Sequence, residues 1–306
     1  MSAELVIVGA GPAGVSAALW ARSRDIEALV LEARDTPGGQ LHDLLFTPRE
    51  LAGLRRGTGP EIAREYVEQL REARIPVRCG ILVARLEPHA GPPPRPVLVS
   101  GTGERIEADA ILVASGVRRR RLDVPGEREL EGRGVSLSAT RDRERLRGKP
   151  VAVVGGGDGA FENALILAAA GCDVALLVRG APRARREFRD RVAAEPRVRV
   201  LERTRVRSIL GDTEVHGVAV EGPRGLEELH VAAVVIKVGE LPNTEWCRGP
   251  VTLDPEGFVV VDGRFRTSQP GVWAAGDVIR PTLPALPVAM GTAALAVADI
   301  HQALRA

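Results

Sequence analysis

The sequence contains two glycine-rich turns of the same kind, about half a chain apart. The first is Gly9–Gly14, with the sequence GAGPAG, and the second is Gly155–Ala160, with the sequence GGGDGA; each directly follows a short apolar run. Glycines allow a tight corner between a strand and a helix, and they let backbone N–H groups approach a pyrophosphate at the helix N-terminus. The doubling predicts a chain that holds two dinucleotides, one to bring electrons in and one to pass them on.

The first turn lies between a predicted strand and a predicted helix. Leu5–Val8 has the apolar pattern of a buried parallel strand, and Val15–Ser23 predicts a helix. A second strand is predicted at Ala28–Leu31, and it ends on Glu32, eighteen residues after Gly14. A carboxylate in that position accepts hydrogen bonds from ribose hydroxyls. The pattern favours dinucleotide binding over a glycine turn that serves helix packing alone.

The second turn has a different continuation. It follows the apolar run Val151–Val154 and opens a predicted helix over residues 160–170, but the next strand, Asp173–Val178, ends without an acidic residue. The residues that follow include Arg179, Arg183, Arg185 and Arg186. Arginines in this place favour a ribose 2′-phosphate, and hence NADPH over NADH. The alternative is a solvated basic helix start, because arginine is abundant throughout the chain.

Composition limits the classes of function. A chain of 306 residues with 44% hydrophobic content predicts two domains, and its net charge of +2 gives no general case for nucleic acid or a membrane surface as a partner. No apolar stretch is long enough to span a bilayer, and a strand is predicted within four residues of Met1, so neither a signal peptide nor a transit peptide is expected. Three dispersed cysteines without a CxxC motif predict a cytoplasmic protein with no metal site.

The remaining segments continue the α/β pattern. Apolar residues at helical spacing predict an amphipathic helix over residues 60–73. Further strands are predicted at residues 81–83, 97–99, 109–116, 257–262 and 271–277, and a last helix at residues 289–304. The proline cluster Pro92–Pro94 predicts a surface turn between two of the strands.

These elements predict an α/β fold with two Rossmann-like dinucleotide-binding domains. One domain is discontinuous and comprises residues 1–117 and 248–306, and the other, residues 118–247, is inserted into it. In this order and spacing, from Val6 to the last helix, the motifs resemble those of the low-molecular-weight thioredoxin reductase family of flavoproteins. The combined order of the motifs is far more specific than any one of them.

The resemblance implies which residues bind the two dinucleotides. The FAD site is implied to comprise Gly9, Gly11, Pro12, Ala13, Gly14, Glu32, Gly39, Gln40, Leu41, Gly276 and Asp277. The NADPH site is implied to comprise Gly155, Gly157, Asp158, Ala160, Arg179, Arg183 and Arg185. The discontinuous domain is thus expected to be the FAD domain and the inserted one the NAD(P) domain. The resemblance also implies a homodimer.

The chain departs from the family at its redox centre. Family members carry a CATC-like cysteine pair in a context resembling GxGVSxCATCD, and the corresponding segment here is Gly132–Asp142. Ser138 and Arg141 occupy the two cysteine positions. A hydroxyl and a guanidinium cannot form a disulfide or carry two electrons as a dithiol. Thioredoxin reduction by the dithiol mechanism is therefore not expected.

Two further departures concern the coenzyme and the flavin pocket. The HRRxxxR phosphate-binding run of the family is reduced to Val178-Arg179-Gly180 followed by Arg183 and Arg185, which leaves NADH open beside NADPH. Where the family has Arg-Gln-Ala before its last helix, this chain has Pro284–Leu286. The prolines stiffen that segment and predict a reshaped flavin pocket.

Three functions are compatible with a missing dithiol. In the first, NAD(P)H reduces FAD, and the flavin passes electrons to an external acceptor such as an acidic ferredoxin-like protein. The arginine run Arg118–Arg121, together with Arg141, is a candidate docking surface for that partner, and solvated loop charges are the alternative. Ser138 and Arg141 are also candidate catalytic residues, and the alternative is that they only fill the space of the lost pair.

In the second function, the flavin serves a small molecule: dioxygen, a quinone or a low-molecular-weight disulfide. His42 is the candidate proton donor for this chemistry, and an exposed loop histidine without a role is the alternative. The third function is of another class: a protein that binds FAD and NAD(P) without turnover, as a redox sensor or as a subunit of a complex.

Overall fold

A computed structural model describes residues 2–44, 47–48, 51–52, 57–87 and 95–305. The chain divides into two compact units, one comprising Met1–Arg118 and Leu241–Ala306 and the other Arg119–Glu240. The first unit is discontinuous and the second is inserted into it. The predicted ranges assign residues 241–247 to the inserted unit, whereas Trp246 and Cys247 pack in an apolar core of the first unit. The proline cluster Pro92–Pro94 lies outside the described residues.

The described helices and strands alternate along much of the chain. The strands are β1 Ser2–Val8, β2 Ala28–Leu31, β3 Val77–Arg78, β4 Val83–Glu87, β5 Val97–Ser100, β6 Arg105–Val113, β7 Val117–Arg119, β8 Val135–Ser136, β9 Pro150–Val154, β10 Asp173–Val178, β11 Val198–Glu202, β12 Arg205–Gly211, β13 Val215–Gly222, β14 Gly225–His230, β15 Ala233–Ile236, β16 Glu240–Pro242 and β17 Val272–Ala274. The α-helices are α1 Pro12–Arg22, α2 Gly59–Glu72, α3 Ala139–Leu146, α4 Asp158–Ala169, α5 Arg186–Ala193 and α6 Leu286–Leu304.

The first unit is built on a seven-stranded sheet with the order β3-β2-β1-β6-β5-β4, in which β17 also pairs with β6. β1 is parallel to β2 and to β6, and β17 is parallel to β6. β4, β5 and β6 form an antiparallel meander at one end. The residues Leu5–Val8 of β1, Ala28–Leu31 of β2 and Ala110–Val113 of β6 are all apolar and buried, because helices or loops cover both faces of the sheet there.

Two apolar cores cover the faces of this sheet. Helices α1, α2 and α6 contribute to the core on one face, where Ala17, Tyr66 and Val297 are buried. The other core contains Leu98, Trp246 and Val278. Together they fix the end of β1, from which the first glycine turn leads into α1.

The second unit contains a five-stranded parallel sheet and a three-stranded antiparallel sheet. The parallel sheet has the order β11-β10-β9-β15-β8, and the antiparallel sheet has the order β12-β13-β14. Helices α3 and α4 pack on one face of the parallel sheet, where Leu146, Phe161 and Val235 are buried in one core. This doubly wound arrangement and that of the first unit confirm the predicted fold class.

Several predicted elements differ from the observed ones. The strand predicted at residues 257–262 is wrong: only an isolated bridge joins Leu253 and Val259 there. The carboxylate of Asp254 accepts the backbone N–H groups of Glu256 and Phe258, both at 2.9 Å, and so closes a turn that competes with strand pairing. The strand predicted at residues 81–83 begins only at Val83. No helix in the described part of the chain is long and apolar enough to cross a membrane.

Candidate dinucleotide-binding sites

The first glycine turn is dictated by close backbone contacts. Gly9 has a φ angle of +104°, and a Cβ atom there would lie 2.5 Å from the carbonyl oxygen of Ala114. A Cβ atom at Gly14 would lie 1.8 Å from the carbonyl oxygen of Gly9. Neither position accepts a side chain without a backbone shift, so the glycines are required for the corner between β1 and α1.

The N-terminus of α1 is arranged to receive an anion. Gly11 is the N-cap and Pro12 is in the first turn, and no side chain caps the helix. The first N–H groups of a helix have no intrahelical partner, and the helix dipole favours negative charge there. The predicted FAD residues Gly11, Pro12, Ala13 and Gly14 thus lie together at one helix start whose N–H groups and dipole favour an anion.

Glu32 is buried at the end of β2 and contacts the glycine turn directly. Its Oε2 atom accepts the N–H of Ala10 at 2.7 Å, and its Oε1 atom accepts the N–H of Arg34 at 2.8 Å. A carboxylate has about four acceptor positions. Glu32 therefore holds the turn and retains acceptor capacity for ribose hydroxyls.

Two later segments come close to the same turn. Gly38 donates its N–H to the carbonyl of Ala10 at 2.8 Å, and a Cβ atom at Gly39 would lie only 3.0 Å from the Cα atom of Gly11. A Cβ atom at Gly276 would lie 2.7 Å from the Cβ atom of Ala13. Among the other predicted residues, Gln40 is half-buried, Leu41 is buried, and Asp277 follows Gly276 in a short 3-10 helix. The structure thus brings the predicted FAD residues together.

His42 lies beside this site. Its Nε2 atom is 2.9 Å from the carbonyl oxygen of Pro37, and a Cβ atom at Gly38 would lie 2.7 Å from that same nitrogen. The ring therefore contacts the backbone of the loop that carries Gly38 and Gly39. This contact occupies one of its two ring nitrogens.

The second glycine turn connects β9 to α4. Gly155 has a φ angle of +147°, and a Cβ atom there would lie 2.2 Å from the carbonyl oxygen of Lys237. Gly157 is the N-cap of α4, with no side-chain cap, and a Cβ atom there would meet no atom of the described residues within 4 Å. Ala160 is buried in the first turn of the helix. Gly155 is therefore required by the corner itself, while Gly157 faces open space.

The predicted phosphate-binding loop is anchored to this turn. The N–H groups of Arg183 and Ala184 both donate to the carbonyl of Gly156, at 2.7 and 3.0 Å. Arg185 donates its backbone N–H and its Nε to the carboxylate of Asp158, at 2.7 and 2.6 Å. The backbone hydrogen bond from Arg185, together with its side chain, holds the pKa of Asp158 below its usual value.

The arginines of this loop consequently differ in whether an ion pair already occupies them. Arg185 is paired with Asp158, whereas Arg179 and Arg183 are exposed and take part in no ion pair among the described residues. Asp158 was itself predicted to contact the coenzyme, and its charge is directed to Arg185 instead. Two arginines are left for a 2′-phosphate.

Ser138 and Arg141 lie at the start of α3. The Oγ atom of Ser138 caps the helix by accepting the N–H of Arg141 at 3.3 Å. The guanidinium of Arg141 donates to both carboxylate oxygens of Asp142, at 2.9 and 3.2 Å, and to the Oγ of Ser136 at 3.3 Å. Burial alone would raise the pKa of Asp142, but the hydrogen bonds from Arg141 and Ser136 lower it below its usual value. Both residues thus have contacts that stabilise the helix start.

The three cysteines lie elsewhere and form no disulfide. Cys172 and Cys247 are buried and donate to the backbone carbonyls of Leu146 and Thr244, at 3.0 and 3.3 Å. Burial raises the pKa of Cys247 to about 12. Both are inert core thiols. Cys79 is half-buried, and burial raises its pKa as well.

The run Arg118–Arg121 is only partly available to a partner. Arg118 pairs with Glu245 at 2.5 Å, and Arg121 pairs with Glu131 at 2.9 Å. Arg119 and Arg120 are exposed and have no ion pair in the described part of the chain. The candidate docking surface is thereby reduced to two arginines of this run.

One functional candidate was not predicted from the sequence. Lys237 directly follows β15, is half-buried, and donates its backbone N–H to the carbonyl of Val154 at 2.8 Å. Burial, followed by the charge of Arg119, lowers the pKa of Lys237 to about 8. The sequence feature that could have singled out Lys237 is composition, because only two of the 42 basic residues are lysines.

Comparison with known proteins places the chain in a family. Residues 3–293 match the family described as pyridine nucleotide-disulphide oxidoreductase. A thioredoxin reductase from Mycolicibacterium smegmatis is 35% identical over 312 residues, which cover 98% of this chain and 96% of that protein. An NADH dehydrogenase from Ferdinandcohnia aciditolerans is 30% identical over 300 residues, which cover 96% of this chain but only 56% of that protein.

The solved structures agree with this assignment. The crystal structure of thioredoxin reductase from Lactococcus lactis superimposes with a TM-score of 0.79 at 27% sequence identity, over 99% of both chains. Fold, family match and relatives therefore converge. The chain belongs to the pyridine nucleotide-disulphide oxidoreductase family and resembles its thioredoxin reductases.

Proposed function

We propose that the protein is an FAD-containing, NAD(P)H-dependent oxidoreductase that passes electrons from the flavin directly to an external acceptor, without a dithiol. The observation that carries this proposal is the contrast between the two glycine turns and the start of α3. Both turns combine a glycine corner with an uncapped helix start, which supports dinucleotide binding, whereas Ser138 and Arg141 occupy the dithiol positions and form hydrogen bonds that stabilise the start of α3.

The residues of the first unit fit FAD. Gly11 and Gly39 approach so closely that a Cβ atom on Gly39 would fill the space between the two backbone segments. The uncapped start of α1 provides N–H groups for the pyrophosphate, and Glu32 provides a carboxylate for the ribose. When bound, FAD supplies the hydride acceptor and the electron donor of the reaction.

The second unit is proposed to bind the nicotinamide coenzyme, with NADPH preferred over NADH. Gly157 and the N-terminus of α4 would receive the pyrophosphate, and the exposed arginines Arg179 and Arg183 would receive the 2′-phosphate. The pairing of Arg185 with Asp158 reduces the positive charge available there. The preference for NADPH over NADH is therefore expected to be smaller than it would be with three unpaired arginines.

The acceptor is proposed to be an acidic ferredoxin-like protein or a small molecule. Arg119 and Arg120 are the exposed cations of the predicted docking run that have no ion pair among the described residues. Charge of this kind steers an acidic partner and raises its association rate, with a strong dependence on salt. A cytoplasmic homodimer is proposed from the family resemblance, and light scattering of the purified protein tests the dimer.

An anaerobic titration tests the proposed function. The purified protein is reconstituted with FAD and titrated with NADPH and separately with NADH, while the oxidised flavin absorbance is recorded. Rapid bleaching is the expected result, and the coenzyme with the faster bleaching is the preferred one. Acceptors are then screened against the reduced protein. Flavin that stays oxidised with both coenzymes, at full FAD occupancy, contradicts the proposal and favours a redox sensor or a complex subunit.

A further inference from the structure

The chain uses lysine at only two positions. Forty of its 42 basic residues are arginines, and the two lysines are Lys149 and Lys237. Lys149 is exposed in the turn before β9, whereas Lys237 is half-buried at the end of β15. Arginine stays protonated in proteins, and lysine can lose its proton when buried. Lys237 is therefore a titratable cation in a chain whose other cations are almost all permanent.

Lys237 lies at the edge of the sheet where ligands bind in doubly wound folds. In the order β11-β10-β9-β15-β8, the strands that continue from the glycine turn lie on one side of β9, and β15 and β8 lie on the other. The strand order reverses between β9 and β15, and dinucleotides cross a sheet at such a point. The arginines that follow β10 mark the adenosine side. The opposite half of a dinucleotide lies toward the ends of β15 and β8.

Backbone contacts tie Lys237 to the glycine turn. Its N–H donates to the carbonyl of Val154 at 2.8 Å, and its own carbonyl oxygen is the atom that a Cβ at Gly155 would meet at 2.2 Å. The position of Lys237 is consequently fixed by the same corner that forms the predicted coenzyme site.

Arg141 is held at the same end of the neighbouring strand. Ser136 of β8 is in register with Val235 of β15, and paired residues direct their side chains to the same face of a sheet. The guanidinium of Arg141 donates to the Oγ of Ser136 at 3.3 Å. Because side chains alternate along a strand, Lys237 continues the face of Val235, two residues earlier. Arg141 and Lys237 therefore lie at the carboxyl ends of the neighbouring strands β8 and β15, on the same face of the sheet.

Charges of both signs surround Lys237, but none of them forms an ion pair with its amine among the described residues. Arg119 precedes Arg120, whose backbone N–H donates to the carbonyl of Gly239 at 2.9 Å, two residues after Lys237. Arg119 and Arg141 lower the pKa of Lys237 after burial, while Glu240 and Glu162, the latter on α4, act in the opposite direction. The carboxylate that pairs with Arg141 is Asp142. An added anion at this place would replace lost hydration and oppose the repulsion between the three cations.

We propose that Lys237, with Arg141 and Arg119, forms an anion-binding subsite at the β15–β8 end of the parallel sheet. It takes anionic oxygens of a ligand that lies over that half of the edge: phosphate oxygens of the nicotinamide half of the coenzyme, or the carboxylates of an anionic acceptor. This inference rests on the proposed function, because that function places a dinucleotide over the second glycine turn.

The first test is amine labelling, since the protein offers an internal control. Acetic anhydride is applied at pH 8, and the acetylation of Lys237 relative to exposed Lys149 is quantified by mass spectrometry of peptides. We expect Lys237 to react in the FAD-loaded, coenzyme-free protein, and its labelling to fall at least fivefold with a saturating ligand while Lys149 is unchanged. A Lys237 that resists labelling without ligand, or labels equally with every ligand, overturns the subsite.

Four probes distinguish the two sources of anionic oxygen. Protection by NADP⁺ and by nicotinamide mononucleotide, but not by 2′,5′-ADP, assigns the subsite to the nicotinamide-half phosphate. Protection by citrate alone assigns it to an acceptor carboxylate. Protection by 2′,5′-ADP as strong as that by NADP⁺ overturns the placement, because this fragment lacks the nicotinamide half.

Variants test the charge of Lys237 without relying on turnover. The dissociation constant of the effective probe is measured by calorimetry for Lys237→Met, Lys237→Arg and the control Lys149→Met. We expect wild-type affinity to fall about tenfold between pH 7 and pH 9.5, because the amine loses its proton near pH 8. Lys237→Arg should remove this pH dependence, and Lys237→Met should bind at pH 7 as weakly as the wild type at pH 9.5.

If the dissociation constant depends on pH in the same way in the wild type, Lys237→Arg and Lys237→Met, the charge of Lys237 has no role and the inference is overturned. The flavin titration is run on the same preparations. Normal bleaching by NAD(P)H combined with unaltered binding in Lys237→Met refutes the subsite alone. A failure to bleach in wild-type protein refutes the proposed function separately.

Discussion

Asp158 and Arg185 form a two-point contact across the second glycine turn: the carboxylate accepts both the backbone N–H and the Nε of the arginine. The acid stands in the first turn of α4, where an anionic ligand would also be attracted. At the proposed coenzyme site, this contact would oppose binding in two ways. It places a carboxylate beside the phosphate position, and it neutralises an arginine of the predicted 2′-phosphate loop.

Replacing Asp158 by asparagine should strengthen the binding of NADPH. The side chain keeps its shape and an acceptor oxygen, but the negative charge is lost and Arg185 is released from its ion pair. Since an exposed pair of this kind is worth up to about 1 kcal/mol, the dissociation constant of NADPH should fall about fivefold. NADH, which lacks the 2′-phosphate, should gain less. Calorimetry with both coenzymes measures the two changes.

The matched variant is Arg185→Ala, which leaves Asp158 unpaired at the helix start. It should weaken the binding of both coenzymes. An equal gain for NADPH and NADH in Asp158→Asn would show that Arg185 does not discriminate between them.

Gly157 and Gly155 should respond in opposite ways to alanine. A Cβ atom at Gly157 meets no described atom within 4 Å, and its φ angle of −99° suits any residue. Gly157→Ala should therefore fold normally and keep its FAD, but the methyl group would occupy ligand space and weaken NADPH binding by at least about tenfold. Gly155→Ala forces a Cβ into the Lys237 carbonyl and should lower the melting temperature instead. Thermal scans and coenzyme titrations separate the two effects, and normal NADPH affinity in Gly157→Ala would place the coenzyme elsewhere.

Glu32 should control FAD retention. In Glu32→Gln the carboxylate loses its charge, and an amide NH₂ group faces one of the backbone donors, Ala10 or Arg34. A buried donor without an acceptor costs about 1–3 kcal/mol. The FAD dissociation constant should rise at least about tenfold. It is measured from flavin fluorescence on dilution.

The control for this change is Glu4→Gln. Glu4 also accepts a backbone N–H, that of Glu27 at 2.7 Å, but in an exposed position of the same unit. Its FAD affinity should equal that of the wild type. If both variants lose FAD equally, the effect reflects the fold and not the site.

The elements nearest the two turns were the most predictable from sequence. Strands Ala28–Leu31 and Asp173–Val178 match their predictions to the residue, because short apolar runs between polar residues are typical of buried parallel strands. The strand predicted at residues 257–262 failed for the opposite reason. There the side chain of Asp254 bonds the local backbone, and alternation of apolar residues does not reveal such a competitor.

In the candidate site, too, some features were predictable from the sequence and others were not. The glycines and Glu32 were predicted because their spacing along the chain is itself the motif, and the structure brings them together at the first turn. The pairing of Asp158 with Arg185 joins residues 27 positions apart, and the place of Lys237 beside Gly155 depends on how distant strands align. Sequence spacing carries no information about such contacts, so both were absent from the prediction.

Ser138 should prove to be a helix cap without a role in electron transfer. Its Oγ accepts the N–H of Arg141 at the start of α3, and removal of an N-cap costs about 1 kcal/mol. Ser138→Ala should lower the denaturation midpoint accordingly and leave the rate of flavin reduction unchanged. Ser138→Asp, which keeps a capping oxygen, should restore stability. A slowed flavin reduction in a stably folded Ser138→Ala protein would instead indicate a direct role for the hydroxyl.

Lys237 should make stability depend on pH in a defined direction. Its pKa is lowered from 10.5 to about 8 in the folded chain, mainly by burial, so between those values the unfolded chain binds more protons and stability rises with pH. Below pH 8 the folded protein bears the full cost of the buried charge, at most about 3 kcal/mol for this shift and less for a half-exposed amine. Lys237→Met should therefore stabilise the ligand-free protein at pH 7, by about 1–2 kcal/mol. The gain should shrink as the pH approaches 10, where the wild-type amine is already neutral in the folded state. Urea denaturation of both proteins at pH 7 and pH 9.5 measures the difference, and a gain that is equal at both values would mean that the methionine acts through packing and not through charge.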